Sequence, residues 1–386
     1  MPVINRFADL HDDITAWRRD IHQHPELMFE VHRTAAMVAQ KLRDWGVDEV
    51  VEGVGRTGIV GVIKGRSNGS GRVIGLRADM DALPIVEATG KTWASKHPGM
   101  MHACGHDGHT AMLLGAAQYL AETRNFDGDA VVIFQPAEEG GGGGREMVND
   151  GMMDRFGVQE VYGLHNAPGL PFGQFAIRPG PMMAAADQFE IHIEGKGGHA
   201  AKPHQTVDTT LVGAQIMWAL QSIVSRNVDP VEHAVVSVTT FHTDGDAYNV
   251  IPQTARMKGT VRTFRPEVRD LVEQRMGEVV ALTAQALGAR ADFTYVRDYP
   301  ATVNAAAETD FAADVAAGVV GAEMVDRNTP PVMGGEDFAF MLNARPGAFI
   351  FLGTGEGAGV HHPEYDFNDD IIPIGCSYLA KLVETA

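Results

Sequence analysis

The spacing of apolar positions divides the chain into segments of helical and strand periodicity. Leu10, Ile14, Trp17 and Ile21 recur every three or four positions, which predicts an amphipathic helix over residues 7–23. Similar spacing, or short runs of β-branched residues, marks the other elements of the first half of the chain. These are predicted helices at 31–45 and 111–123 and predicted strands at 58–64, 71–78, 129–134 and 160–164. Strands that alternate with helices predict an α/β fold, a mostly parallel sheet with helices on both faces.

A different pattern follows residue 183. Apolar and polar residues alternate strictly through Gln188–Glu194, with Phe189, Ile191 and Ile193 on one face, as expected of a strand that is buried on one side. Further alternating or helical segments follow, with predicted strands at 234–241, 254–264 and 292–296 and helices at 207–224 and 268–287. From residue 298 the chain returns to α/β character, so we predict one α/β domain (1–183 and 298–386) interrupted by an inserted α+β domain (184–297).

Composition and charge narrow the classes of partner. The 386 residues carry a formal net charge of −19, which disfavours nucleic acid and anionic membrane surfaces. Apolar runs stay short of the 18 residues of a membrane span, and the first 20 residues lack the apolar core of a signal peptide. With only two cysteines, a disulfide framework is not expected. Together these features predict a cytoplasmic protein.

The turn Met101–Thr110 concentrates the candidate chemistry. It holds Cys104, His106 and two further histidines around glycines. Thiolate and imidazole ligands at such short spacing suit a divalent metal of the zinc or manganese-to-nickel kind. A buried cysteine beside a helix-capping histidine is the alternative explanation of Cys104 and His106 taken alone.

Further metal-ligand types follow the predicted strands. Glu138 and Glu139 come just after one strand, His165 ends another, and His361 follows a late glycine-rich loop. Of two adjacent carboxylates such as these, one can bind a metal while the other serves as the general base that takes a proton from an attacking water. We expect Asp81, at a third strand end, to orient an imidazole rather than to bind metal. Together with Cys104 and His106, these ligands suffice for two ions if one ligand bridges them.

The inserted domain offers groups that could bind a substrate. The glycine-rich turn 195–204 carries His199, and a strand-to-helix loop is the alternative explanation for it. Arg262, on a strand, and the amide of Asn249 could grip a carboxylate by charge-assisted hydrogen bonds, although a lone arginine there is often a surface residue. The glycine run 140–144 lacks both phosphate-loop and dinucleotide fingerprints, so nucleotide binding is not expected.

The motifs together resemble those of a known enzyme family, and they occur in its order along nearly the whole chain. The sequence is similar to the metal-dependent amidohydrolases that include hippurate hydrolase, N-acyl-amino-acid amidohydrolases and auxin–amino-acid hydrolases, within the wider group of aminoacylase and carboxypeptidase G-like peptidases. The matching blocks are His24–Glu26, Arg77–Pro84, His102–Asp107, Gln135–Glu139, Gly197–Ala201, Asn249–Pro252, Gly334–Phe338 and His361–Pro363.

The resemblance implies a site with two divalent ions (zinc, manganese, cobalt or nickel) and a role for each matching residue. Alignment favours His361 over its neighbour His362 as a ligand. The inserted domain corresponds to a lid and dimerisation domain, which implies a homodimer. The implied metal ligands are Cys104 (the bridge), His106, Glu139, His165 and His361. Glu138 is the implied general base, and His199, often supplied by the partner subunit, is the implied hydrogen-bond donor to the oxyanion. Asn249 and Arg262 are the implied residues that bind the substrate carboxylate.

The expected activity is therefore hydrolysis of the amide bond of small-molecule N-acyl-L-amino acids, such as hippurate, to a carboxylic acid and a free amino acid. A dipeptidase or carboxypeptidase of the same group remains an alternative, because the acyl pocket cannot be identified from the motifs. A two-metal phosphoesterase is disfavoured by the lack of a basic cluster. A non-catalytic binding protein on the same fold is disfavoured because Glu138 and every ligand are present.

Overall fold

The computed structural model describes residues 3–386, so the first two residues of the predicted segment 1–183 lie outside the described part. The strands are β1 (Glu49–Val54), β2 (Gly58–Lys64), β3 (Val73–Asp79), β4 (Asp129–Gln135), β5 (Glu160–Ala167), β6 (Phe175–Ala176), β7 (Gly180–Met183), β8 (Ala185–Glu194), β9 (Gly198–His199), β10 (Ala234–Thr243), β11 (Val250–Ile251), β12 (Thr254–Thr263), β13 (Arg290–Tyr299), β14 (Thr302–Asn304), β15 (Val325–Asp326) and β16 (Gly347–Gly353). The α-helices are α1 (Asn5–Asp9), α2 (His11–Gln23), α3 (His32–Asp44), α4 (His106–Thr123), α5 (Gly143–Asn149), α6 (Met152–Arg155), α7 (Thr209–Arg226), α8 (Pro266–Ala286), α9 (Ala306–Val320), α10 (Ala339–Ala344) and α11 (Ile372–Glu384).

The chain divides into two compact units. The first comprises residues 3–182, Thr302–Pro331 and Asp337–Ala386, and the second comprises Met183–Ala301 and Val332–Glu336. The domain boundaries predicted from the sequence, 183/184 and 297/298, lie close to these limits. As a statement about independently folding domains they stay a prediction.

An eight-stranded sheet forms the centre of the first unit, in the order β1-β2-β4-β3-β5-β16-β6-β15. Its four central strands, β4, β3, β5 and β16, are mutually parallel, whereas β1 and β2 extend it with antiparallel pairs. Helices flank the sheet, and α4 is buried almost throughout its length. This arrangement confirms the predicted α/β class with a mainly parallel sheet.

The second unit is a four-stranded antiparallel sheet, β10-β12-β8-β13, on which α7 and α8 pack. Strand β8 shows why the sequence alternates: its burial alternates residue by residue, and Phe189, Ile191 and Ile193 enter a core shared with both helices. The α+β character predicted for this segment is therefore present.

Three element boundaries differ from the predictions, and the first two concern ligands of the site. Helix α4 begins at His106 rather than at residue 111, because Gly105 adopts a left-handed conformation (φ 91°) just before it. Strand β5 continues to Ala167, so His165 lies within a strand. The predicted helix 7–23 is two helices, α1 and α2, separated at Leu10.

No helix within residues 3–386 has the length and apolar character needed to cross a bilayer.

Candidate metal centre

The parallel strands of the first unit end at one edge of the sheet, and the candidate ligands gather there. Cys104, His106 and His165 each place a potential ligand atom within 4.8 Å of those of the other two. The Cys104 Sγ and His165 Nε2 atoms are 3.4 Å apart. Cys104 reaches this edge from the turn before α4, His106 from the first residue of α4, and His165 from β5.

The hydrogen bond of His165 determines which of its nitrogens can bind a metal. Nδ1 lies 2.6 Å from the carbonyl oxygen of Asn166. Because a carbonyl only accepts hydrogen bonds, Nδ1 carries the proton and Nε2 presents its lone pair toward Cys104. Burial also holds the pKa of His165 well below its usual value, which keeps the ring neutral as a metal ligand requires.

A second group of potential ligands shares Cys104 and adds Glu139 and His361. The His361 Nε2 and Glu139 Oε1 atoms are 3.2 Å apart, and this carboxylate raises the pKa of His361. His361 holds a left-handed backbone (φ 64°), and its N–H donates to the carbonyl of Ala103. His362 is used differently, since its Nδ1 accepts the backbone N–H of Glu364. Two ligand groups with one thiol in common are the arrangement expected of a bridged pair of ions.

Asp81 holds the Glu138–Glu139 turn in place. The backbone N–H groups of Glu138 and Glu139 donate to its two carboxylate oxygens at 2.9 and 3.1 Å. The same carboxylate lies 3.4 Å from Nδ1 of His106. Ala137, immediately before the turn, has a left-handed backbone (φ 53°), which is uncommon for a residue with a Cβ. The turn brings Glu138 into a further ligand group with His106 and Glu139.

The charges at this edge favour a cation among the ligands. Burial alone would lower the pKa of His106, but Asp79, Asp81 and Glu139 raise it to about 10. Burial and the neighbouring carboxylates raise the pKa of the Cys104 thiol well above its usual value. Both ring nitrogens of His106 are buried and make no hydrogen bond of good geometry. The donor types, the unsatisfied imidazole and the excess of carboxylates therefore fit divalent metal ions.

A buried charge network supports this edge, and sequence reasoning did not find it. Arg77, on β3, forms ion pairs with Asp79 (2.7 Å) and Asp337 (3.1 Å), and all three side chains are buried. Burial alone would raise the pKa of Asp79, but Arg77, His106 and His109 hold it well below the usual range. The pairing joins residues 260 positions apart, so local spacing carries no signal for it.

The remaining predicted residues lie in the second unit. His199 and Asn249 belong to one small ribbon, in which β9 pairs with β11 and the N–H of Ala200 donates to the carbonyl of Asn249. Both side chains are exposed. Arg262 lies apart from this ribbon in β12, beside a cavity of about 450 Å³ on the sheet. Its guanidinium bonds the Thr260 hydroxyl and the Val261 carbonyl. Burial lowers the pKa of Arg262, and the nearby carboxylates of Asp187 and Asp298 oppose this shift.

Comparison with known proteins found one matching family and several similar proteins. Residues 75–385 match the peptidase family M20/M25/M40. The chain is 42% identical to hippurate hydrolase of Campylobacter jejuni over 385 residues, 99% of this chain and 98% of that protein. It is 40% identical to thermostable carboxypeptidase 1 of Saccharolobus solfataricus over 381 residues, 96% of this chain and 94% of that protein. Among solved structures, a dinuclear metal-binding M20 peptidase of Bacillus subtilis superposes with a TM-score of 0.84 at 36% identity, covering 98% of each chain.

Proposed function

This chain belongs to peptidase family M20/M25/M40, and from that premise we propose that it is a two-metal amidohydrolase of N-acyl-L-amino acids. The products are a carboxylic acid and a free amino acid. The observation that carries the proposal is the position of Glu138 beside two ligand groups that share Cys104. The ligands of the proposed ions are Cys104, His106, Glu139, His165 and His361.

Glu138 is the general base of the proposed reaction. When bound, divalent zinc, manganese, cobalt or nickel lowers the pKa of water and polarises the scissile carbonyl. The Glu138 carboxylate accepts a proton as the water oxygen attacks the carbonyl carbon. It then delivers that proton to the amine nitrogen as the C–N bond breaks. The Asp81 carboxylate accepts hydrogen bonds from the backbone N–H groups of Glu138 and Glu139 and so keeps the Glu138 carboxylate in position.

Groups of the second unit complete the proposed site. His199 donates a hydrogen bond to the oxyanion, and loss of one such donor typically lowers kcat by about 100- to 1000-fold. Arg262 and Asn249 hold the carboxylate of the amino acid. Because they lie near opposite ends of β12 within one chain, they act together when supplied by different subunits of the proposed homodimer. In support, the half-buried Arg262 guanidinium makes its hydrogen bonds to neutral oxygens, those of Thr260 and Val261, among the described residues. Such a guanidinium can form two parallel hydrogen bonds to a substrate carboxylate.

A homodimer is part of the proposal, and an exposed apolar surface on the second unit supports it. On α7, Trp218 is 82% exposed and Leu211 is 54% exposed. Trp218 adjoins the edge strand β10 across a cavity lined by Met217, Val238 and Phe241. Exposed aromatic residues beside an unpaired strand edge are typical of a protein–protein interface.

We place the protein in the cytoplasm, which fits its two unpaired cysteines.

Separate substitutions of Glu138 and Glu139 distinguish the proposed general base from the proposed metal ligand. Glu138→Gln should lower kcat for hippurate hydrolysis by about 100-fold or more while both ions remain bound, because the amide cannot accept the proton. Glu139→Gln should instead lose one ion. Metal content and turnover of both purified variants measure the difference. Full activity of Glu138→Gln, or hippurate hydrolysis that survives complete metal removal by a chelator, would refute the mechanism.

A carboxypeptidase is the second candidate, favoured by the 40% identity to the Saccharolobus solfataricus enzyme. Both activities need the same ions, base and carboxylate clamp, and they differ only in the group on the acyl side. Rates on benzoyl-, acetyl- and aminoacyl-amino acids distinguish them, because a carboxypeptidase prefers the aminoacyl substrates.

A further inference from the structure

Asn166 is a buried residue of β5 that contacts the metal centre through its neighbours. It is 1% exposed. Its carbonyl oxygen accepts the Nδ1–H of His165, and its backbone N–H donates to His109 Nε2 at 3.0 Å. Its side-chain oxygen Oδ1 lies 2.6 Å from the same His109 nitrogen, which accepts the backbone N–H when it is unprotonated and donates to Oδ1 when it is protonated. Its side-chain Nδ2 donates to the Tyr365 hydroxyl at 2.8 Å. The polar groups of Asn166 therefore all lie against His165, His109 or Tyr365.

His109 and Tyr365 are themselves held firmly. The Nδ1–H of His109 donates to Asp79 at 2.7 Å, and Asp79 is paired with the buried Arg77. Tyr365 is 1% exposed and belongs to the core of the first unit. His109 and Tyr365, two side chains with fixed positions, thus hold the side-chain amide of Asn166 in place. Neither of them forms a hydrogen bond to Cys104 or His165.

The Asn166 amide also packs against the turn that carries two of the ligands. A Cβ at Gly105 would collide with the Asn166 carboxamide and the Tyr365 hydroxyl. Gly105 separates Cys104 from His106 in the chain and has a left-handed backbone that glycine adopts at little cost. Asn166 therefore belongs to the strand that carries His165, and its side chain contacts the turn that carries Cys104 and His106.

We propose that Asn166, fixed by His109 and Tyr365, is a positioning residue for one of the two ions, the one held by Cys104, His106 and His165. The inference rests on the proposed function for the presence of two ions. It adds that the Asn166 amide supports one position and not the other, whereas Asp81 contacts His106 as well as the backbone of Glu139. Glu139 and His361, the ligands that form the second group with Cys104, are positioned by Asp81 and by the carbonyl of Ala103. Among the described residues, they make no hydrogen bond to Asn166 or to the Tyr365 hydroxyl.

Removing one hydroxyl provides a matched test. Tyr365→Phe keeps the ring but removes the group that receives the Asn166 amide. Tyr378→Phe is the control, because Tyr378 is equally buried and its hydroxyl has no hydrogen-bond partner in the part of the chain that the structure describes. Asn166→Ala removes the whole amide while the backbone bonds to His165 and His109 stay available.

The measurement follows the release of Co²⁺ from the loaded protein as a competing chelator is added. Visible absorption reports the Co²⁺ coordination during the titration. Loss of a group that orients ligands typically lowers metal affinity by about 10- to 100-fold. We expect that loss for one ion only in Asn166→Ala, a smaller loss for the same ion in Tyr365→Phe, and wild-type release in Tyr378→Phe.

Two results would overturn the proposal: an equal loss of both ions in Tyr365→Phe, or a lowered melting temperature with unchanged release of Co²⁺. If Asn166→Ala does not fold, Tyr365→Phe still decides, since it changes a single atom. Hippurate hydrolysis by the same wild-type preparation tests the proposed function separately, because the release experiment requires no substrate.

Discussion

At the residue scale, buried histidines of the first unit differ in charge because their partners differ. His165 faces a backbone carbonyl and is held neutral by burial. His102 is also buried, finds no hydrogen-bond partner among the described residues, and has its pKa lowered by burial to about 3. His22 is buried between two carboxylates, with Nδ1 2.8 Å from Asp107 and Nε2 3.4 Å from Glu87. Burial alone would lower the pKa of His22, but these partners raise it to about 9.

The raised pKa of His22 predicts a dependence of stability on pH. A group whose pKa is raised on folding contributes its full stability below its unfolded pKa of about 6.5 and loses it as pH rises toward the folded pKa. We expect His22→Gln to lower the free energy of unfolding by up to about 3 kcal/mol at pH 6. The difference from wild type should then shrink between pH 6.5 and 9, as urea unfolding of metal-free protein at several pH values would measure.

The control for this prediction is His32→Gln, which changes a histidine whose side chain is largely exposed. Its difference from wild type should stay small at every pH. A stability difference for His22→Gln that is equally large at pH 6 and pH 9 would show that the side chain contributes through packing rather than through its charge.

At the scale of elements, the motif His24-Pro25-Glu26 forms a helix cap. The Glu26 carboxylate accepts the backbone N–H groups of Arg33 and Thr34, at 2.8 and 2.9 Å, in the first turn of α3. These N–H groups have no partner within the helix, and a carboxylate there also interacts favourably with the helix dipole. The residue at the cap position itself, Val31, cannot provide such a bond. Glu26 therefore replaces the missing cap from outside the helix.

The cap predicts a stability effect without an effect on chemistry. Glu26→Ala should lower the free energy of unfolding by about 1 kcal/mol, the usual cost of losing a cap, while the kcat of hippurate hydrolysis stays at the wild-type value. Glu30→Ala, an exposed acidic residue of the same loop, is the control and should change neither quantity. A large fall in kcat with unchanged stability would place Glu26 in the site instead.

Elements with a regular pattern could be predicted from the sequence, whereas those at the site could not be predicted in full. Strand β8 alternates cleanly because one face meets water. The first turn of helix α4, His106–His109, is polar in sequence but buried in the structure. Because it lacks the apolar residues expected of a buried helix, its sequence looks like that of a loop. Helix α9 is rich in alanine and lacks a clear polar stripe. Partners such as Asn166 and Tyr365 are 199 positions apart, and no local spacing records them.

At the scale of the whole molecule, the proposed dimer raises the question of which subunit supplies His199. The ribbon of β9 and β11 presents His199 and Asn249 to solvent, so within the second unit nothing covers either side chain. A closed symmetric dimer would present each ribbon to the other chain in the same way. The source of His199 can be decided by combining two inactive variants.

Mixing Glu138→Gln with His199→Ala distinguishes the two possibilities by arithmetic. If His199 acts across the dimer, a mixed dimer has one site with both changes and one site with neither. Random exchange makes half of the dimers mixed, so activity should recover to about a quarter of the wild-type value. If each chain uses its own His199, every site in the mixture lacks one group and activity stays at the level of the separate variants. Hippurate hydrolysis after subunit exchange, with either variant alone as control, measures the outcome.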